Sequence, residues 1–133
     1  MFQLLLKILP SRVAYAHCDV PCGIYDPKPA QLAAATMLKM TEILGEAGSD
    51  EHKRTRATLT KEEHGRILKH ELGILWSDYF KPEHLDKFPD LHDKFWRAMK
   101  QTSQVKQTVD AEAAKDLVAR VDEIAEIFVQ TKS

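Results

Sequence analysis

From Asp110 onward, Ala113, Leu117, Val121, Ile124 and Phe128 recur at steps of three and four, the spacing that gathers apolar side chains on one face of a helix. No alternating apolar/polar run long enough for a strand occurs in the 133 residues, so the chain is expected to be all-α. Asp110 is placed to cap that last helix. Asp26 is placed to cap the first, with Pro27 and Pro29 tolerated in its opening turn because those positions have no intrahelical acceptor to meet. Gly45 is expected to end it, and Leu32, Ala35, Leu38 and Ile43 to be its apolar positions. A second helix is predicted from about Thr55 to Phe80, burying Leu59, Ile67, Leu68, Leu72, Leu75, Trp76 and Tyr79. Pro82 and Pro89 punctuate a connection, after which Leu91, Phe95, Trp96, Met99 and Val105 mark a third. Four amphipathic helices with short joints pack most economically as an up-down four-helix bundle.

The length suits one domain with its own core, and there are no internal repeats or Gly/Ser linkers to suggest a second. A net charge of -1 with 29% charged residues argues against a polyanion partner such as nucleic acid. No apolar run approaches the roughly 20 residues needed to span a bilayer. Residues 1–16, MFQLLLKILPSRVAYA, read as a removable leader ending in an A-x-A pattern, with cleavage expected between Ala16 and His17. Lys7 interrupts the apolar stretch and Pro10 and Arg12 follow it, which weakens a secretory reading. A pro-segment removed in the cytoplasm is the expectation, leaving 17–133 as the working domain.

Both cysteines of the chain, Cys18 and Cys22, lie just behind that point, with His17 before the first. Three residues separate the thiols, so the two-residue spacing of a thioredoxin-like redox pair is absent. A disulfide closing so short a loop would constrain little. Tetrahedral zinc needs four side-chain ligands and the segment offers three, so another histidine would have to join. A di-iron bundle site is also excluded, because no glutamate has a histidine three residues later. Cleavage after Ala16 changes the count of donors. It frees the His17 amine, and the Cys18 backbone amide can join the Cys18 and Cys22 thiolates. Those four donors make fused small chelate rings and favour a square plane, the geometry of Ni(II) or Cu(II). The His17 imidazole can then reach an axial position. Strong amidate and thiolate donors favour a higher oxidation state, so a one-electron redox site becomes possible.

The segment His17-Cys18-Asp19-Val20-Pro21-Cys22-Gly23-Ile24-Tyr25, together with Leu75-Trp76-Ser77-Asp78-Tyr79-Phe80-Lys81-Pro82, resembles the nickel-dependent superoxide dismutases. That resemblance implies an antioxidant enzyme, a homohexamer of four-helix bundles each with one nickel ion in an N-terminal hook at 17–25, and a peptidase that exposes His17. It implies nickel ligation by the His17 amine and imidazole, the Cys18 amide and thiolate and the Cys22 thiolate. It implies disproportionation of superoxide to oxygen and hydrogen peroxide by Ni(II)/Ni(III) cycling. Tyr25 matches the tyrosine that limits access to small anions and orders water for proton delivery. Asp19, Tyr79 and Lys81 match supporting positions, and Lys81 would attract the anionic substrate.

The chain departs from the family pattern where the axial histidine is steadied. The glutamate and arginine of the family are replaced by Ala33 and His64, and a metal-bound histidine depends on such a partner for its orientation. His64 is expected to take over that hydrogen bond as a donor or relay. The other reading of the same residues is a non-catalytic bundle that binds zinc, copper or nickel through the hook.

Overall fold

A computed structural model describes residues 23–132. Among these, the chain forms α1 (Lys28–Glu46), α2 (Glu51–Ile74), a π-helical turn (Leu75–Tyr79), the single-turn α3 (His84–Lys87), α4 (Leu91–Gln107) and α5 (Ala111–Gln130), with no strand. Helix α1 packs against α2 and α5, α4 packs against the same two, and the α1/α4 diagonal barely meets. That is the ring of neighbours in an up-down four-helix bundle, as the periodicity predicts.

The helix starts are set by carboxylates and the stops by backbone freedom. Asp110 accepts from the amides of Glu112 and Ala113 at 3.0 and 3.1 Å, satisfying donors that the first turn of α5 leaves open. Asp26 accepts from the amide of Lys28 at 2.8 Å, although Pro27 is the residue at the cap. Helix α1 runs through Gly45 and stops one residue later; the reversal is made at Gly48, whose φ of 54° suits a residue without Cβ. Helix α2 begins at Glu51 rather than Thr55, capped by Asp50 accepting from Lys53 at 2.9 Å. Its first turns are exposed throughout, so no apolar repeat marks them. The helix predicted to run to Phe80 changes at Leu75, where the Phe80 amide donates to the Leu75 carbonyl five residues back at 3.0 Å. The widened turn inserts a residue into the helical register, as π-bulges do.

The core gathers Phe95, Met37, Leu68, Leu72, Leu91 and Leu117, each essentially inaccessible to solvent. The buried stripe of α1 is Ala30, Ala33, Ala34 and Met37, one position displaced from the predicted one, so Ala35 and Leu32 face outward. Small side chains let α1 approach α2 closely, and a Cβ at Gly65 of α2 would stand 3.2 Å from Met37 Cε and 2.5 Å from the Lys106 stem. Leu59 and Trp76, expected to be buried, are 65% and 43% exposed, and Trp96 of α4 is 58% exposed. Apolar character alone did not reveal which face of each helix turns inward.

Lys61 is the buried cation of the bundle at 2% exposure. Its ammonium donates to the carbonyl of Thr108, just past the end of α4, where a cation meets the unsatisfied carbonyls of a helix C-terminus. Burial lowers its pKa, against a smaller upward pull from Glu62. The folded protein therefore holds this proton less tightly than the unfolded chain, and the cost of folding around a charged Lys61 is relieved as pH rises from the folded pKa towards 10.5. Denaturant unfolding of the full chain across the alkaline range should show that gain, and Lys61→Met should lack it. In the same assay at neutral pH, Phe95→Ala should cost about 3–5 kcal/mol through the cavity it leaves. Asp110→Ala should cost about 1 kcal/mol through the lost cap.

Candidate functional site

The π-helical turn delivers Tyr79 to one end of the bundle, where its ring lies 4.4 Å from that of Phe128 near the end of α5 and 5.0 Å from Phe80. Tyr25, just before α1, brings its ring to 5.4 Å from Tyr79 at an angle of 53°. The Tyr79 hydroxyl is 2.6 Å from Thr131 Oγ1. Gly23, with φ 69°, continues the same wall. Together with Asp78, Lys81, Glu83, His84 and Lys132, these residues line a cleft of about 600 Å³. A larger cleft of about 740 Å³, between the start of α1 and the end of α5, is lined by residues such as Gln31, Asp122 and Glu126 and contains none of the predicted site residues. The smaller one holds Tyr25, Tyr79 and Lys81, the predicted site residues among those described.

Lys81 is held at the cleft by its own backbone. Its amide donates to His84 Nδ1 at 3.0 Å, which requires that nitrogen to be unprotonated. The His84 ring stacks on Tyr79, 5.9 Å between centroids and 19° between planes. Two cations face the cleft, because Lys132 Nζ sits 5.0 Å above the Tyr79 ring and Lys81 stands exposed on the opposite segment. An anion entering the cleft meets both lysines, with Asp78 and Glu83 as the opposing charges on the lining.

The structure thus unites Tyr25, Tyr79 and Lys81. His64 does not line this cleft. It lies on α2, fifteen residues before Tyr79 in the same helical run, or about 20 Å along the axis at 1.5 Å per residue. Its Nδ1 is 2.8 Å from the Thr60 carbonyl; a carbonyl only accepts, so this nitrogen carries a proton. Ala33 is 2% exposed and part of the core. His17, Cys18, Asp19 and Cys22, and the cleavage point at Ala16, lie outside the described residues. Among those described, no group of three or more His, Cys, Asp or Glu side chains could hold a metal. No described helix is long and apolar enough to cross a membrane.

Four cleft residues, Glu83, His84, Thr131 and Lys132, escaped the sequence reading. His84 follows Lys81-Pro82 at the spacing of a turn, a signal that could have been used. Thr131 and Lys132 sit beyond the last apolar repeat of α5, where periodicity carries no information. Replacing His84 by leucine should free the Lys81 amide and speed its hydrogen exchange about fivefold, the equivalent of one ordinary hydrogen bond. His84→Asn, whose Oδ1 occupies the place of Nδ1, should leave exchange near that of the parent.

Residues 12–132 match the family model for nickel-containing superoxide dismutase. The chain is 39% identical over 124 residues to the nickel superoxide dismutase of Streptomyces coelicolor, covering 92% of this chain and 93% of that one. It is 39% identical over 117 residues to that of Streptomyces seoulensis, covering 88% of each. The crystal structure of a native nickel superoxide dismutase superposes with a TM-score of 0.82 at 39% identity, covering 88% of this chain and all of the other. Fold, extent and identity agree, and the chain belongs to the nickel-containing superoxide dismutase family.

Proposed function

We propose that this nickel-dependent superoxide dismutase carries its metal on residues 17–22 and admits substrate through the cleft of Tyr25, Tyr79 and Lys81. One observation carries the reading: Gly23 and Tyr25, which follow directly on Cys22, line the same cleft as Tyr79 and Lys81. The donors proposed are the His17 amine and imidazole, the Cys18 amide and thiolate and the Cys22 thiolate. This donor set fits nickel, since amidate and two thiolates suit a square plane and a soft, strongly donating environment. When bound, nickel supplies the one-electron chemistry by which two superoxide ions and two protons become oxygen and hydrogen peroxide.

The protein's part is access, charge and protons. Lys81 draws the anion towards the cleft. Tyr25 narrows the approach and orders water near the hook, and Asp19 supports the hook from within. Pro21 restricts φ in the hook, and Gly23 makes the positive-φ turn out of it. His64 is the residue proposed to steady the His17 imidazole, as donor or relay, in place of the family's glutamate and arginine; its place about 20 Å along the helical run from Tyr79 counts against that role within one chain, and substitution decides it.

The leader at 1–16 is removed by a peptidase between Ala16 and His17, because an amine still acylated by Ala16 is a poor donor. The enzyme works in the cytoplasm as a homo-oligomer, a hexamer by its resemblance to the family. Leu32, Leu59, Trp76 and Trp96 face outward and are available to such an association.

Cys18→Ser should abolish turnover and the electron paramagnetic resonance signal of Ni(III) while leaving helicity intact; nickel redox that survives this change would exclude the donor set. His64→Ala should slow turnover with nickel retained, and unaltered turnover would remove His64 from the site. Lys81→Gln should reduce kcat/KM severalfold at low salt, a deficit that closes as ionic strength rises and the Debye length falls below about 10 Å.

A further inference from the structure

Thr131 closes α5 and makes two contacts through a single hydroxyl. Its Oγ1 donates to the Phe128 carbonyl at 2.6 Å and lies 2.6 Å from the Tyr79 hydroxyl. A hydroxyl has one proton to give and a carbonyl can only accept. With the Thr131 proton committed to Phe128, the Tyr79 contact must be donated by the phenol. The position of Thr131 is well determined, because its own amide donates to the carbonyls of Ile127 and Phe128 at 3.1 Å. The next residue, Lys132, holds its ammonium 5.0 Å from the Tyr79 ring and 5.2 Å from that of Phe128.

From this geometry we infer that Thr131 is a positioning residue for the cleft, fixing the direction of the Tyr79 hydrogen bond. It draws the phenolic proton away towards the end of α5 and leaves the phenol oxygen facing the cleft as an acceptor. Tyr79 therefore orders a donor, such as a water molecule, and is not the source of the protons that complete hydrogen peroxide. The inference rests on the reading of this cleft as the substrate route. It deepens that reading by giving the C-terminal turn, which lies beyond every motif in the sequence, a part in proton placement.

The test uses the full chain with Tyr15→Phe and Tyr25→Phe, which leaves Tyr79 as the sole survivor of the three tyrosines. The tyrosine Fermi doublet in its Raman spectrum separates a donating phenol from one that only accepts. The parent and Thr131→Ser should show the donating pattern, and Thr131→Val should lose it. In the nickel-loaded chain beginning at His17, with Tyr25 and Tyr79 intact, Thr131→Val should lower turnover about fivefold, the scale of one hydrogen bond, with nickel content unchanged; Thr131→Ser should stay near the parent. A parent spectrum without the donating pattern, or a Thr131→Val spectrum that retains it, overturns the assignment. So does full turnover in Thr131→Val once its pattern is lost. The Raman measurement needs no nickel, so it decides the direction of the bond even in protein that does not turn over, where the hook reading would have failed separately.

Discussion

The packing of Tyr79 on Phe128, 4.4 Å between ring centroids, joins the end of the long second helical run to the end of the last helix. Every part of the cleft is referred to that contact. Tyr25 leans on Tyr79 from the N-terminal side, His84 stacks on it from the connecting segment, and Thr131 fixes its hydroxyl from the C-terminal side. Three stretches distant in sequence meet on one ring. An edge-to-face or offset aromatic contact of this kind contributes about 0.5–1.5 kcal/mol beyond the area it buries. Its larger effect is geometric, because a ring held on several sides cannot drift from its place in the cleft.

The bundle behind the cleft explains how a short site segment can be placed with accuracy. Four helices with a core of Phe95, Leu68, Leu72 and Leu117 form a rigid scaffold, and the site is built at their ends, where backbone groups are not fully used by the helices. The π-helical turn is the local adjustment that makes this possible. Leu75 stays on the buried face of Leu68 and Leu72 and Trp76 beside it is 43% exposed, while Tyr79, beyond the added residue, reaches Phe128. Lys61 belongs to the scaffold rather than to the site, anchoring the end of α4 at the expense of a buried charge.

Much of this was legible in the sequence. The steps of three and four after Asp110 gave α5 and its buried face, and the cap at Asp110 is where the carboxylate implied. The hook motif and the Leu75–Pro82 segment indicated the family and named Tyr25, Tyr79 and Lys81 as site residues, and the structure brings these three together. What could not be read has identifiable causes. Helix α1 presents alanines to the core, and alanine is common on both faces of a helix, so the stripe was placed one position off. The polar first turns of α2 hid its start behind Asp50. Leu59, Trp76 and Trp96 are apolar yet exposed, and a single chain's periodicity does not separate a face meant for the core from one meant for a partner. The tautomers of His64 and His84 and the direction of the Thr131 bond depend on contacts across the fold, which no spacing encodes.

In the proposed site the free N-terminus at His17 is the feature on which nickel chemistry depends. The direct measurement is a paired dismutation assay on the full-length chain and on the chain beginning at His17, both loaded with nickel, checked for bound metal and followed by electron paramagnetic resonance. Activity and a Ni(III) signal confined to the chain beginning at His17 are predicted, because only that chain offers the amine. Equal activity and equal signals in both chains would contradict the amine-dependent site.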